Sequence, residues 1–441
     1  MSTSLSLRNA LSVWSVAGES PGDVHVADGH VARTAREGAP ELDASGCVVT
    51  PGLVNAHHHL LQTAFRTLPG TRGVPMREWL PTMAAAYRSA GVDGGLSHAA
   101  ARAGIAEALL SGVTTVADHH LTWPAPAEPR TNATSLLDDD VAIADGVVRA
   151  ARELGGRVAF VRGTAGDDAA VAAASAEAIA RAFAPAHGGV GDDGMVQVAV
   201  GPAGVHSDRE DTFAALGEVA RKFGLRRRTQ ANEQVDTEIA ASRYGRRPLE
   251  LLDAWGWLEE GVTVAHLCDV HDDEIALLAD RGVTATHAPG CDVPMGWGVA
   301  PVAKLLAAGI TVGLGTSGGG SNDAGHLLAD ARLALQVSGL VGRQLTAREV
   351  LAAATAGSAD GLGRPELGRI APGVPADLCV WDVSGVADAG VADPVGGLLW
   401  ASPGRRPRHV VVGGRIVVRD YRLTAGDEAE ISAALRERVG R

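Results

Sequence analysis

Apolar and polar positions alternate with a period of two at both ends of this chain. Near the start, VWSV, DVHVAD, HVARTA and CVVTP are bounded by Gly, Pro, Asp and Ser, as short strands separated by turns are. Near the end, ADLCVWDV, HVVVGGRIVVRD and YRLTAG repeat that texture, and Gly413-Gly414 predicts a hairpin turn. Between the two ends the period changes. Apolar runs of strand length (VTTVADHH, GRVAFVRG, VQVAVGP, LRRRTQANE, VTVAHLCD, VTATHAPG and ITVGLGTS) alternate with Ala-rich helical segments. With PGLVNAHHH in front they make eight strands. Strand–helix alternation of this kind predicts a parallel sheet, here closed into an α/β fold of the (β/α)8 TIM barrel type. The β-rich ends flank it in sequence. The expectation is therefore a small β-sandwich domain built from both termini, residues 1–52 and 364–441, beside a barrel of residues 53–363. Residues 125–145 read as a polar insertion and residues 185–194 as a Gly-rich loop. Both are expected near strand ends, where such barrels carry their active-site loops.

Composition narrows the class. Of 441 residues, 46% are hydrophobic and 21% charged, enough to build a large core and to exclude a chain that is disordered in its main state. The net charge of −13 leaves no basic stripe to neutralise phosphates, which speaks against nucleic acid and anionic membranes as partners. No run of about 18 apolar residues marks a membrane span, and MSTSLSLRNALSVWS lacks the pattern of a signal peptide. A soluble, cytoplasmic protein is expected. Cys47, Cys268, Cys291 and Cys379 are scattered without a CxxC pair, so no disulfide framework is expected.

The chemistry gathers where the strands end. The first strand ends in His57, His58 and His59, followed by Gln62, and the second in Asp118, His119 and His120. Later strands are followed by His206, by Gln230 and Glu233, by His266, by His287 and Asp292, and by Ser317 and Asp323. Imidazoles collected at one end of a parallel barrel point to a reaction centre. The His57-x-His59 spacing puts two imidazoles on one side of a strand, where they can chelate a divalent metal. Trp79 in REWLP and Trp123 in LTWP either stack a planar ring or pack loops. His119 and His120 either contact substrate or share a structural hydrogen bond with Asp118. Arg228 alternates onto the same face as Gln230, where it could meet a carboxylate or carbonyl.

The segments PGLVNAHHHLLQTAFR, SGVTTVADHHLTWP, QANEQVDTE, VTVAHLCDV, VTATHAPGCDVPMGWGVAPV, ITVGLGTSGGGSNDAG and ELGRIAPGVPADLCVWD run nearly end to end. In that order they resemble the amidohydrolase superfamily, and within it the deaminases that act on guanine, 8-oxoguanine, pterins and chlorotriazines. The resemblance implies one divalent metal, usually zinc or iron, held by two strand-1 histidines, a strand-5 histidine and a strand-8 aspartate. It implies a metal-bound water that attacks the amino-bearing ring carbon. His57 and His59 match the first two ligands, Glu233 the proton shuttle, His266 the strand-6 histidine, and Gln62 a glutamine that hydrogen-bonds a heterocycle edge.

Two positions depart from the family's pattern. Gln230 stands where the strand-5 histidine belongs, and Ser317 where the strand-8 aspartate belongs. Neutral amide and hydroxyl oxygens are poor zinc ligands. The only lysines, Lys222 and Lys304, lie in helical stretches, so a carboxylated lysine is not available as a rescue. The expectation is a degenerate site (His57, His59, Gln230, Ser317) with no metal and no cofactor. Glu233, His266, His57 and His59 would then carry acid–base or hydrolytic chemistry on a purine-, pterin- or triazine-like ring. Gln62, Trp79, His119, His120, Trp123, His206, Arg228, Gln230, His287 and Ser317 would hold that ring. Two alternatives stand beside this reading: a zinc-dependent aminohydrolase with His206, His287, Cys291 or Asp292 as substitute ligands, and a heterocycle-binding protein without catalysis. A homodimer or larger homo-oligomer is expected from the resemblance alone.

Overall fold

The computed structural model describes residues 3–124 and 133–440. Eight parallel strands follow one another around a ring: Leu53–His59, Val113–His120, Arg157–Thr164, Val196–Pro202, Arg226–Ala231, Val262–His266, Thr284–His287 and Val312–Leu314. The eighth strand breaks and resumes as Ser317–Gly318, which pairs with His58 and His59 of the first and closes the barrel. The closure is tight. A Cβ on Gly315 would fall 2.6 Å from the His57 carbonyl oxygen, so only glycine fits there. Beside it, Asn55 donates to the Thr316 hydroxyl (2.7 Å) and accepts from the Thr316 amide (3.2 Å).

Ala-rich helices cover the barrel. Helix Gly94–Leu110 buries Ala100, Ala101, Gly104, Ile105 and Ala108, small residues that let helix and sheet approach closely. Side-chain caps fix the starts of two helices: Asp93 accepts from the Leu96 amide and Asp168 from the Ala170 and Val171 amides.

Strands from both ends of the chain share a second sheet of nine strands. Its seam is the antiparallel pairing of Cys47–Pro51 with Leu378–Asp382. The predicted hairpin joins His409–Val412 to Arg415–Arg419. Gly413 (φ 52°) and Gly414 (φ 74°) supply the two left-handed positions its turn requires. Two contacts tie this sheet to the barrel. The Trp381 ring covers Gly112 so closely that a Cβ there would lie 2.7 Å from Cη2. Arg157, at the start of the third barrel strand, makes a bidentate pair with Asp377 (2.7 and 3.1 Å). Both side chains are buried, and Asp377 also accepts from the Gly413 amide at 2.7 Å.

Two loop expectations need correction. Of the insertion placed at residues 125–145, residues 125–132 lie outside the described residues, and Ala133–Leu154 is a helix on the barrel wall. The Gly-rich segment 185–194 precedes the fourth strand rather than following it, so it sits at the end of the barrel opposite the histidines. There the Gly194 carbonyl accepts from Arg157 and Arg364. Among the described residues no helix is long and apolar enough to cross a membrane.

Removing one partner of a buried pair strands the other charge. Asp377→Ala is expected to lower unfolding stability by about 3–5 kcal/mol, whereas the double change Arg157→Leu with Asp377→Leu costs less. Urea unfolding of the two variants beside the parent chain measures the difference.

Candidate active site

The C-terminal ends of the strands surround a cavity of about 650 Å³. Its polar side holds His59, Gln62, His119, His120, His206, Gln230, Glu233, Cys291 and Ser317. Its apolar side comes mainly from one helix, Met76–Ala90, through Met76, Trp79, Leu80, Met83 and Tyr87. These recur at helical spacing; the sequence pointed to Trp79 alone among them, and the structure adds the others to the cavity wall.

The HxH pair behaves as strand alternation dictates. The His57 and His59 ring centres lie 4.9 Å apart. The His59 Nδ1 donates to the His119 carbonyl at 2.6 Å, which leaves Nε2 as the nitrogen with a lone pair. The His57 Nε2 is buried and without a partner. Burial, then the neighbouring imidazoles, holds the His57 pKa well below its ordinary value, and burial brings that of His59 down to about 4. Both rings are therefore neutral at pH 7. The intervening His58 turns the other way and bonds the Thr316 hydroxyl at 2.8 Å.

The other half of the site is ionic. At the end of the fifth strand, Asn232 adopts a left-handed turn (φ 55°), braced by its amide donating to Asp236 at 3.0 Å. Glu233 follows and lines the cavity. The His266 Nδ1 lies 2.8 Å from Asp292 Oδ1 and 3.3 Å from Glu233 Oε1, all three buried. Burial opposes a charge on His266, but the Glu233 and Asp292 carboxylates outweigh it and push its pKa up to about 9. Burial raises the Glu233 pKa. The His266 Nε2 donates to Gln230 Oε1 at 3.1 Å, and its ring meets that of His57 edge-on at 5.1 Å.

The remaining sequence candidates divide by position. Gln62 accepts from the Gly320 amide at 2.9 Å, and the Trp79 indole donates to the Gly320 carbonyl at 3.0 Å. Both therefore line the cavity from fixed positions. His119 donates from Nε2 to the Gly201 carbonyl, leaving a buried Nδ1 without a partner. His120 stacks on Phe160 and meets Trp123 edge-on, and Arg162 covers the Trp123 ring at 4.2 Å. His206 pairs with Asp236 at 3.3 Å. Arg228 turns away from the cavity: its guanidinium donates to the Ala56 carbonyl beneath the floor, and burial brings its pKa down to about 9. His57, His266 and His287 also lie under the cavity surface, and burial brings the His287 pKa down to about 4. Asp323 points outward to Arg72 and the Thr67 amide. Ser317 keeps a left-handed backbone (φ 54°).

Residues 48–417 match the Amidohydrolase family. An 8-oxoguanine deaminase of Pseudomonas aeruginosa is 32% identical over 98% of this chain and 97% of its own length. A 5-methylthioadenosine/S-adenosylhomocysteine deaminase of Natronomonas pharaonis is 33% identical over 88% of this chain and 86% of its own. Among solved structures, the atrazine chlorohydrolase of Arthrobacter aurescens complexed with zinc superposes with a TM-score of 0.88. It is 31% identical, with 99% of this chain and 100% of that one covered. These matches correct the expectation of a site without a cofactor, since a structure alike over the whole chain holds zinc. Fold, cavity and relatives agree, and the chain belongs to the amidohydrolase family.

Proposed function

We propose that this protein is a zinc-dependent aminohydrolase that removes an exocyclic group from a purine-, pterin- or triazine-like nitrogen heterocycle, with substitute ligands in place of two of the usual ones. One observation carries the reading: a neutral imidazole pair, His57 and His59, lies beside a buried carboxylate–imidazole set, Glu233, His266 and Asp292, at the polar end of a cavity of about 650 Å³. The relatives that cover nearly the whole chain are named for deamination or dechlorination of such rings, and this supports the substrate class.

The donor set fits zinc in kind. The His57 Nε2 is buried with no hydrogen bond to satisfy it, an arrangement that costs about 1–3 kcal/mol unless something binds there. His59 has its tautomer fixed by the His119 carbonyl, the outer-shell arrangement that metal-binding histidines use. His57 and His59 would hold the ion; Gln230 and Ser317, lacking charge, contribute little to holding it. Zinc, when bound, brings the pKa of a coordinated water down to near 7 and so supplies hydroxide at neutral pH.

The chain's own residues do the rest. Glu233 reaches the cavity and is uncharged more readily than an ordinary carboxyl, so it can take a proton from water and pass it to a ring nitrogen or leaving amine. His266 does not reach the cavity. It acts through others, holding Gln230 with Nε2 and Glu233 and Asp292 with Nδ1. The planar ring is held between the apolar wall at Trp79 and the polar rim at Gln62.

Ammonia release from a panel of 8-oxoguanine, 5-methylthioadenosine and an aminopterin tests the reading. Turnover of at least one of them, lost on chelation and restored by zinc, is the expected outcome; failure on all of them with zinc bound overturns it. On the accepted substrate, Glu233→Gln is expected to lower kcat by about 10²–10⁴ with zinc content unchanged. Trp79→Ala removes stacking worth about 0.5–1.5 kcal/mol beyond its buried area. It is expected to raise KM about tenfold while kcat changes less, as steady-state kinetics would show.

A further inference from the structure

The substitution at Ser317 removes the family's anionic ligand from the eighth strand, yet the site is rich in buried anions. Glu233 and Asp292 share the one imidazole of His266, and Asp236 is already engaged with His206. Asp292 is fully buried, and its Oδ2 has no hydrogen-bond partner among the described residues. A carboxylate oxygen in that state demands a cation or a proton. Beside it, Cys291 is 1% exposed and lines the cavity. Ser317 and Ser321 line the same part of the cavity wall.

Candidate ligand atoms of His266, Cys291 and Asp292 all lie within 4.8 Å of one another. Resting on the zinc reading above, we propose that Cys291 and Asp292 are the ligands that replace the two lost ones, with His266 positioning Asp292 from behind, so that the anionic side of the metal centre has moved from the eighth strand to the segment after the seventh. Thiolate, carboxylate and imidazole are all zinc donors, and a thiolate favours zinc over magnesium or calcium. One divalent ion with one thiolate and one carboxylate is electrically neutral, which suits a buried site. Binding deprotonates the thiol and releases that proton to solvent. The His57 Nε2, buried and unpartnered on a ring that meets His266 edge-on, is the adjoining donor from the first strand. The exchange also explains why two adverse substitutions coexist with an intact cavity: the carboxyl lost at position 317 is present at 292.

Cobalt in place of zinc reads the ligands directly. The full chain, produced with cobalt supplied and freed of excess metal, is expected to carry about one cobalt per chain, filling a single site. A near-ultraviolet thiolate-to-cobalt charge-transfer band is expected with it. Cys291→Ser should abolish that band, and Asp292→Asn should weaken cobalt binding at least about tenfold. The band is read first on the unaltered chain, so a variant that fails to fold does not decide the matter. Bound cobalt without a thiolate band overturns the proposal and leaves zinc-dependent catalysis standing, with His57→Asn then locating the ion. A band that survives Cys291→Ser comes from Cys268 and also overturns it. A chain that takes up neither cobalt nor zinc overturns both readings at once.

Discussion

Two carboxylates sharing one imidazole set the character of this site. Glu233 and Asp292 come from different strand ends, and His266 lies between them out of contact with solvent. Separate buried charges would each cost several kcal/mol in lost hydration. Grouped, they stabilise the imidazolium. The neighbouring groups are placed in relation to that charge. Gln230 accepts from the far side of the His266 ring. Glu233 is made easier to protonate, because it is buried and lies near Asp292. The neutral His57–His59 pair sits on the other side of His266, so acidic and basic halves of the pocket meet at a single ring.

Holding that arrangement uses backbone conformations the residues would not choose alone. Asn232 (φ 55°), His266 (φ 74°), Leu267 (φ 56°) and Ser317 (φ 54°) are all left-handed, and all stand where barrel strands end. For asparagine the cost is small; for His, Leu and Ser it is of order 1–3 kcal/mol each. The barrel supplies it. Asn55 and Thr316 lock the first and eighth strands together just below Ser317, and the Asn232 turn is fixed by Asp236. Rigid strands thus hold the strain where it positions the side chains in and beneath the cavity wall.

The barrel and the shared terminal sheet were legible in the sequence because both are statements about period. Alternation of two at the ends, and strand–helix alternation between them, follow from which faces must be buried. The HxH pair was legible for the same reason. What was not legible depends on direction and depth. Residues 185–194 have a loop's composition, and it is their place just before the VQVAVGP strand, not that composition, that puts them at the end opposite the histidines. Arg228 shares a face with Gln230 as alternation required, yet the first strand's Ala56 carbonyl captured its guanidinium below the floor. The apolar wall from Met76 to Tyr87 carries the pattern of a core helix and differs only in what lies opposite.

The treatment of the metal shows the same limit in sharper form. Ligands counted along aligned positions assume that each donor must stay on its own strand. A metal imposes no such rule: it needs donors of the right kind, near one another and shielded from water. At the mouth of a barrel, eight strand ends converge, so a donor lost from one can be offset by a donor from a neighbour without disturbing the fold. Ser317 and Cys291 are 26 residues apart in sequence, but both line the same cavity. Asp292 follows directly, a carboxyl side chain buried beside the thiol. Residue-by-residue comparison registers two losses there, whereas the folded chain holds imidazole, thiol and carboxylate within a single ion's reach. Convergence of strand ends is what lets one barrel vary its chemistry while keeping its frame, and it is why the ligand set must be read from the folded site rather than from the alignment of its strands.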